Sequence, residues 1–229
     1  MLTAVAHLPI ATTLVAAVFA TAVFRRWLRR RPAPHLLWWS AGIALYGLGT
    51  LAESYTTLLG WNESVFRLWY VAGALLGAAP LAQGTVYLLL PRRTADALAV
   101  ALLLFVTVAA TAVLSSPIDL RAVEAHGLSG RVLAWQEVRY FSPVVNVYAV
   151  VFLVGGAVVS AWRYRRMPSE RHRVTGNVLI AVGAILPGVG GVSARLGATE
   201  ILYVTELVGL VLIWTGYAFA TSSSRASAT

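Results

Sequence analysis

The sequence contains no lysine and no cysteine, and only 12% of its 229 residues are charged. Without cysteine there are no disulfides, thiolate metal ligands or cysteine nucleophiles. Without lysine there is no residue for a retinal Schiff base, which excludes a retinal protein. A soluble domain carries about 25% charged residues. The low charge, together with 59% hydrophobic residues, predicts a protein that is embedded in a lipid bilayer.

Long apolar segments dominate the rest of the chain. A helix needs about 20 apolar residues to cross the hydrocarbon of a bilayer. The segments of this length are 4–24, 36–59, 67–90, 97–114, 141–162, 174–194 and 200–220. They predict a single all-α domain over residues 1–229, an integral membrane bundle of seven transmembrane helices.

The positive charge predicts how the bundle is oriented. All 18 basic residues are arginine, and the net charge is +9. Thirteen of them follow spans one, three, five and seven in short runs, and five lie on the other side. Basic residues concentrate on the cytoplasmic side, so we expect the N-terminus outside and the C-terminus in the cytoplasm. Charge in short runs between spans also argues against nucleic acid as a partner.

The first span differs from a signal peptide, in which basic residues precede the apolar run. Here none precedes it and five arginines follow. We therefore expect a retained anchor and a multi-pass protein of the inner (plasma) membrane.

One outer connection, residues 115–140, is long. Its second half, from Arg131 to Tyr140, contains Trp135 and is compatible with a short helix at the membrane interface. An ordered loop that caps the bundle is the alternative.

Small residues and prolines indicate how the helices pack. Helices in lipid associate through small residues and shared hydrogen bonds. Gly73 and Gly77 form a GxxxG pattern in span three, and glycines recur in spans five to seven. Pro80 and Pro187 fall within spans three and six, where each removes a backbone donor and can kink the helix. We expect both to face the interior.

Two carboxylates, Glu53 and Glu206, lie inside predicted spans, where charge is costly and marks a candidate site. Both belong to the outer third of their helices. Polar residues expected at the same depth are His7, Arg67, Tyr70, Asn146 and Tyr203. Together they predict a polar cavity open to the outside, with Glu53 paired to Arg67 because a buried carboxylate needs a partner. The alternative is that these groups only tie helices together.

Other chemistry has little support in the sequence. Haem between helices requires facing histidines at matched depth, whereas His35 and His172 lie near helix ends. There is no H-E-x-x-H, G-x-S-x-G or P-loop motif. We therefore expect no metal and no cofactor, and the sequence leaves an enzymatic activity open without supporting one.

Three stretches carry a resemblance to a known family. They are the run 37–54 with its late glutamate, the stretch 66–73 followed by Ala79-Pro80, and residues 164–173 before the span that contains Leu186-Pro187-Gly188. Over about 180 residues the chain resembles the N-terminal seven-helix sensor region of bacterial histidine kinases. The resemblance implies a ligand-sensing bundle whose last helix passes a signal inward. Those receptors continue into a kinase, whereas span seven here is followed only by residues 221–229, so signalling would require a separate cytoplasmic or membrane partner.

Three functions remain open at this stage. The first is a sensory or ligand-binding membrane protein that takes a small molecule or a lipid in the polar cavity. The second is a small solute or ion transporter, with spans two to four and five to seven as inverted repeats and the proline-containing spans in corresponding positions. The third is an accessory subunit of a larger complex.

Overall fold

The computed structural model describes residues 2–222, and these residues are helical with short connections. Seven long helices are present: α1 (Leu8–Arg29), α2 (Pro34–Leu59), α3 (Glu63–Leu89), α4 (Arg92–Ser115), α5 (Gln136–Tyr164), α6 (Arg171–Arg195) and α7 (Thr199–Thr221). Within residues 2–222 no strand forms, apart from one isolated bridge between Ile118 and Leu133. The all-α prediction is confirmed.

Six of the long helices are long and apolar enough to cross a membrane, and α2 is the exception. The chain is therefore a polytopic helical membrane protein. At 26 residues α2 has the required length. Tryptophan, tyrosine, glycine and hydroxyl side chains lower its hydropathy, and much of its surface is buried against protein. A helix surrounded by other helices needs less apolar surface than one facing lipid.

The chain divides into two compact units, Met1–Ala149 and Val150–Thr229, with the boundary inside α5. We call them unit 1 and unit 2. The prediction of a single domain stays a prediction.

Local sequence signals set the helix ends in unit 1. Pro34 stands in the first turn of α2, where a missing N–H costs no helical hydrogen bond. After α2 ends, Gly60 adopts a φ of 88°, a left-handed conformation that favours glycine. The side chain of Asn62 then caps α3 by accepting a hydrogen bond of 3.2 Å from the backbone N–H of Val65.

In unit 1, α2 packs against α1 and α3, and α3 also contacts α4 and the first part of α5. The third helix is interrupted. An α-helical segment (Glu63–Trp69) is followed by a π-helix (Tyr70–Leu75), and the α-helix resumes at Ala79–Leu89. Pro80 lies in the first turn of the last segment, where it fits without losing a hydrogen bond.

The long connection between α4 and α5 folds over one end of unit 1. Residues 116–135, which we call the capping loop, contain a short helix (Leu120–His126) and a 3₁₀ turn (Gly130–Val132). A second 3₁₀ turn, Gln136–Tyr140, opens α5. Residues 131–140 therefore form an ordered loop with separate turns rather than one continuous interface helix. Its buried residues Val132, Leu133 and Val138 pack in one cluster with Phe66, Tyr70 and Val113.

Unit 2 is built on the packing of α6 against α7, with the last part of α5 also against α6. Three glycines of α6, at 176, 183 and 190, are spaced by seven residues and face α7. A Cβ added at Gly183 would lie 2.6 Å from the carbonyl oxygen of Gly209, and one added at Gly176 would lie 2.6 Å from that of Gly216. These two helices approach so closely that only hydrogen fits between their backbones.

Pro187 lies inside α6, which continues through it to Arg195. The residue four positions earlier is Gly183, whose carbonyl loses its usual N–H partner at Pro187. A Cβ at Gly209 would meet that oxygen at 2.7 Å, so the carbonyl is directed at α7. The ring of Pro187 also lies against α7, because a Cβ at Gly209 would lie 3.1 Å from its Cδ. The expectation that this proline faces the interior of the bundle stays a prediction.

Candidate functional site

Glu53 of α2 is the buried carboxylate of unit 1, with 3% of its surface exposed. Its Oε1 accepts a hydrogen bond of 2.9 Å from the indole N–H of Trp69 on α3. Burial of a carboxylate is costly unless donors compensate it. The Glu53–Trp69 contact supplies one such donor and links the two helices.

Hydroxyl groups extend the polar layer around Glu53. The side chains of Thr13 on α1 and Thr50 on α2 share a hydrogen bond of 2.9 Å. Ser54 donates to the carbonyl of Thr50 at 2.8 Å, and both residues are buried. The layer therefore connects α1, α2 and α3 through side-chain hydrogen bonds.

A close helix crossing sets the position of the Glu53–Trp69 contact. A Cβ added at Gly49 would lie 2.8 Å from the Cα of Gly73, so α2 and α3 are in backbone contact there. Glu53 lies four residues after Gly49, and Trp69 lies four residues before Gly73. Residues four apart share a helix face, which brings both side chains to the same side of the crossing.

The π-helix of α3 begins directly after Trp69, at Tyr70. A π turn carries one more residue per turn than the α-helix around it, and such turns occur frequently at functional sites. The contact on Glu53 therefore stands next to the irregular part of α3, where the helix register differs from that of a regular α-helix.

Arg67 has a different role from the predicted one. Its guanidinium pairs with Glu63, one turn earlier, at 2.7 Å. It also donates to the carbonyls of Val113, Leu114 and Ser116 at 2.6, 2.9 and 3.0 Å. With two bonds to Glu63, all five donors of an arginine are used. The predicted Glu53–Arg67 pair is therefore wrong, because Arg67 instead binds the carboxyl end of α4.

Tyr70 belongs to the same end of unit 1 as Arg67. It is buried in the cluster under the capping loop, and Ser142 donates to its phenolic oxygen at 3.5 Å. Arg67 and Tyr70 thus contact the capping loop and the helix ends beside it, whereas Glu53 accepts a hydrogen bond from Trp69.

The remaining predicted site residues belong partly to unit 1 and partly to unit 2. Asn146 lies on the part of α5 that belongs to unit 1 and is exposed. Tyr203 and Glu206 are half-buried on α7 in unit 2. His7, at the start of α1, is exposed. A single cavity formed by all seven predicted residues stays a prediction.

Two features of unit 1 were missed from the sequence. Trp69 was assigned no role, although an indole one turn from a glycine crossing is a candidate donor. Gln83 on α3 is completely buried, donates to the carbonyl of Ala95 at 2.9 Å and accepts a hydrogen bond from the hydroxyl of Tyr148. An amide within an apolar segment was the signal that could have found it.

A groove of about 420 Å³ opens beside α4 and contains none of the predicted site residues. It is lined by Thr107, Val108, Thr111, Ala112, Ser115 and Trp135. Across residues 2–222, no group of three or more histidine, aspartate or glutamate side chains is arranged to hold a metal ion.

The chain was also compared with known proteins. It matches no protein-family model, no curated protein sequence and no solved structure.

Proposed function

We propose that this protein is a ligand-binding or sensory protein of the bacterial plasma membrane, and that a small ligand acts on the carboxylate of Glu53. The observation that carries the proposal is the Glu53–Trp69 contact at 2.9 Å, next to the π-helix of α3. A ligand that presents a cation or a hydrogen-bond donor to Glu53 competes with Trp69 for the same oxygen.

The π-helix gives α3 a way to change its conformation when a ligand displaces Trp69 from Glu53. When the indole leaves Glu53, α3 can shift its register across the six residues Tyr70–Leu75. The glycine crossing of α2 and α3 presents no side chain that opposes such a shift. A ligand with different affinity for the two registers would change their populations.

The topology that we propose has seven spans, with α2 counted alongside the six apolar helices. The alternation of arginines supports it, because an odd number of spans puts 13 of the 18 on one side. That side is the cytoplasm in our proposal. The resemblance to kinase sensor regions adds that α7 passes the signal to a cytoplasmic or membrane partner.

Native mass spectrometry of the protein extracted gently from its membrane tests the proposal. We expect a bound small molecule that is lost from Glu53→Gln and retained by Glu124→Gln. The control removes the same charge from an exposed glutamate in the capping loop. A protein that carries no small molecule, or one whose ligand is retained equally by both variants, would contradict a site at Glu53.

The two proline-containing spans, three and six, do not support the transporter alternative. Interrupted helices in corresponding positions are its expected mark. Span three is interrupted at its π-helix, whereas α6 runs unbroken through Pro187. We therefore prefer the ligand-binding and sensory proposal.

A further inference from the structure

We infer that the connection between α1 and α2 is a binding site for the headgroup of an anionic phospholipid. This inference is independent of Glu53 and does not rest on the proposed function. Its basis is a cluster of five arginines in seven residues, Arg25, Arg26, Arg29, Arg30 and Arg31. We call this group the arginine cluster.

Four of the five arginines in the cluster are exposed and form no ion pair within the described residues 2–222. They are Arg25, Arg29, Arg30 and Arg31. The sequence has no acidic residue before Glu53.

The next basic run of unit 1, Arg92 and Arg93, is followed by a carboxylate that already has partners within the protein. Asp96, at the start of α4, pairs with Arg92 at 2.9 Å and accepts from the hydroxyl of Tyr87 at 2.8 Å. Arg25, Arg29, Arg30 and Arg31 therefore carry positive charge that no carboxylate among residues 2–222 balances through an ion pair.

The cluster exceeds what α1 itself requires. Basic residues in the last turn stabilise a helix through its dipole, and Arg26 and Arg29 supply this. Arg30 and Arg31 lie beyond the end of α1 and add charge where the helix no longer needs it. The guanidinium of Arg31 stacks over the ring of Trp27 at 4.0 Å, which holds it beside the helix end.

The start of α2 adds backbone donors at the same place. Four residues separate Arg29 from Pro34, and α1 packs against α2, so the cluster adjoins the first turn of α2. No side chain caps that turn. Pro34 has no N–H, and the N–H of Leu36 donates to the carbonyl of Ala33 at 3.0 Å. The turn therefore offers the N–H groups of Ala33 and His35. Such groups and the positive end of a helix dipole favour a phosphate group.

The neighbouring apolar side chains favour a lipid over a soluble phosphate. Phe24 and Leu28 lie among the arginines and are 41% and 47% exposed. Positively charged segments directly beside a membrane helix bind anionic lipid headgroups. In this arrangement the phosphate meets the guanidinium groups, and the acyl chains lie along Phe24 and Leu28.

Native mass spectrometry with added lipid tests the site. The purified protein is titrated with phosphatidylglycerol or phosphatidylcholine, and the retained lipids are counted. We expect the wild-type chain to retain phosphatidylglycerol preferentially. The triple variant R29Q/R30Q/R31Q should weaken that retention by about tenfold or more, and R29K/R30K/R31K should keep most of it.

The matched control is R121Q/R131Q/R139Q, which removes the same charge from the capping loop and the first turn of α5. It should retain phosphatidylglycerol as the wild type does. An equal loss in both glutamine triples would mean that only net charge matters and would overturn the site. Equal retention of both lipids by the wild type would also overturn it.

The wild-type chain provides an independent test, because loss of three arginines can also disturb membrane insertion. Retention of phosphatidylglycerol should fall as salt is raised. At matched ionic strength, inorganic phosphate should displace no more lipid than chloride does. Displacement by phosphate alone would show a soluble-anion site and contradict the lipid assignment.

Discussion

Units 1 and 2 hold their helices together in different ways. Nine polar side chains are buried among the residues of unit 1 whose burial the structure describes, and Thr50, Glu53 and Gln83 are three of them. In unit 2, across the described residues 150–222, no polar or charged side chain is buried to that degree. Its helices α6 and α7 instead approach through glycines.

The difference shows two solutions to one physical problem. Lipid is as apolar as a leucine side chain, so burial of apolar surface gives little drive for helices to associate. Unit 2 relies on close backbone packing, which tolerates no added atom. Unit 1 has one such crossing, at Gly49 and Gly73, and adds hydrogen bonds between side chains, which can be exchanged for bonds to a ligand. A ligand-responsive site is therefore expected in unit 1.

The largest expected effect is on the backbone contact in unit 2. In Gly183→Ala the new Cβ would lie 2.6 Å from the carbonyl oxygen of Gly209, and a backbone atom cannot rotate away. We expect unfolding to become easier by about 3 kcal/mol, measured by denaturation in detergent.

The matched control lies on the same helix. Gly188 has nothing within 4 Å of an added Cβ, so Gly188→Ala should be neutral or stabilising by up to about 1 kcal/mol, because alanine favours helix. Equal destabilisation by the two changes would mean that α6 and α7 do not pack at this contact.

The next largest effect is expected in unit 1, at the carboxyl end of α4. Arg67→Gln removes the charge that binds Glu63 and the carbonyls of Val113, Leu114 and Ser116. We expect a loss of about 2 kcal/mol and faster hydrogen exchange in residues 116–140. Arg93→Gln, at an exposed arginine, is the control. Exchange that rises around Glu53 instead of the capping loop would revive the predicted Glu53–Arg67 pair.

The sequence predicted the helices well, because about 20 apolar residues in a row have few alternatives in a membrane. It also predicted that Gly183 and Gly209 are packing positions. Hydrogen-bond partners were not predictable to the same extent. The assignment of Arg67 to Glu53 assumed that charges of opposite sign at similar depth pair, whereas Glu63 stands one turn away on the same helix.

The interruption of α3 shows another limit. Pro80 predicts a kink, and the chain does break just before it, at residues 76–78. The π-helix that precedes the break has no proline, and the tertiary contact between Gly49 and Gly73 falls within it. Contacts between distant segments cannot be derived from local periodicity.

A smaller effect is expected from the buried amide of unit 1. Gln83→Leu leaves the hydroxyl of Tyr148 and the carbonyl of Ala95 without the bonds that Gln83 provides. We expect a loss of about 1 kcal/mol. In the double variant with Tyr148→Phe, the loss should be smaller than the sum of the single losses, because both remove one shared bond. Strict additivity would show that the two side chains do not interact in the membrane.

The smallest expected effect concerns the contact that carries the proposed function. Trp69→Phe removes the indole N–H from Glu53 but keeps an aromatic ring at the α2–α3 crossing. Hydrogen bonds between membrane helices contribute about 0.6 kcal/mol on average, so stability should fall only by about that amount. Trp135→Phe, at an exposed tryptophan, is the control for the change of ring.

The informative result of Trp69→Phe is its effect on binding rather than on stability. A ligand that competes with the indole for Glu53 no longer has to displace it, so affinity should rise in Trp69→Phe and remain unchanged in Trp135→Phe. Affinity that falls in Trp69→Phe would mean that the indole contacts the ligand directly. Affinity equal to that of the wild type would place the ligand away from the Glu53–Trp69 contact, and the polar layer of unit 1 would then serve only to join α1, α2 and α3.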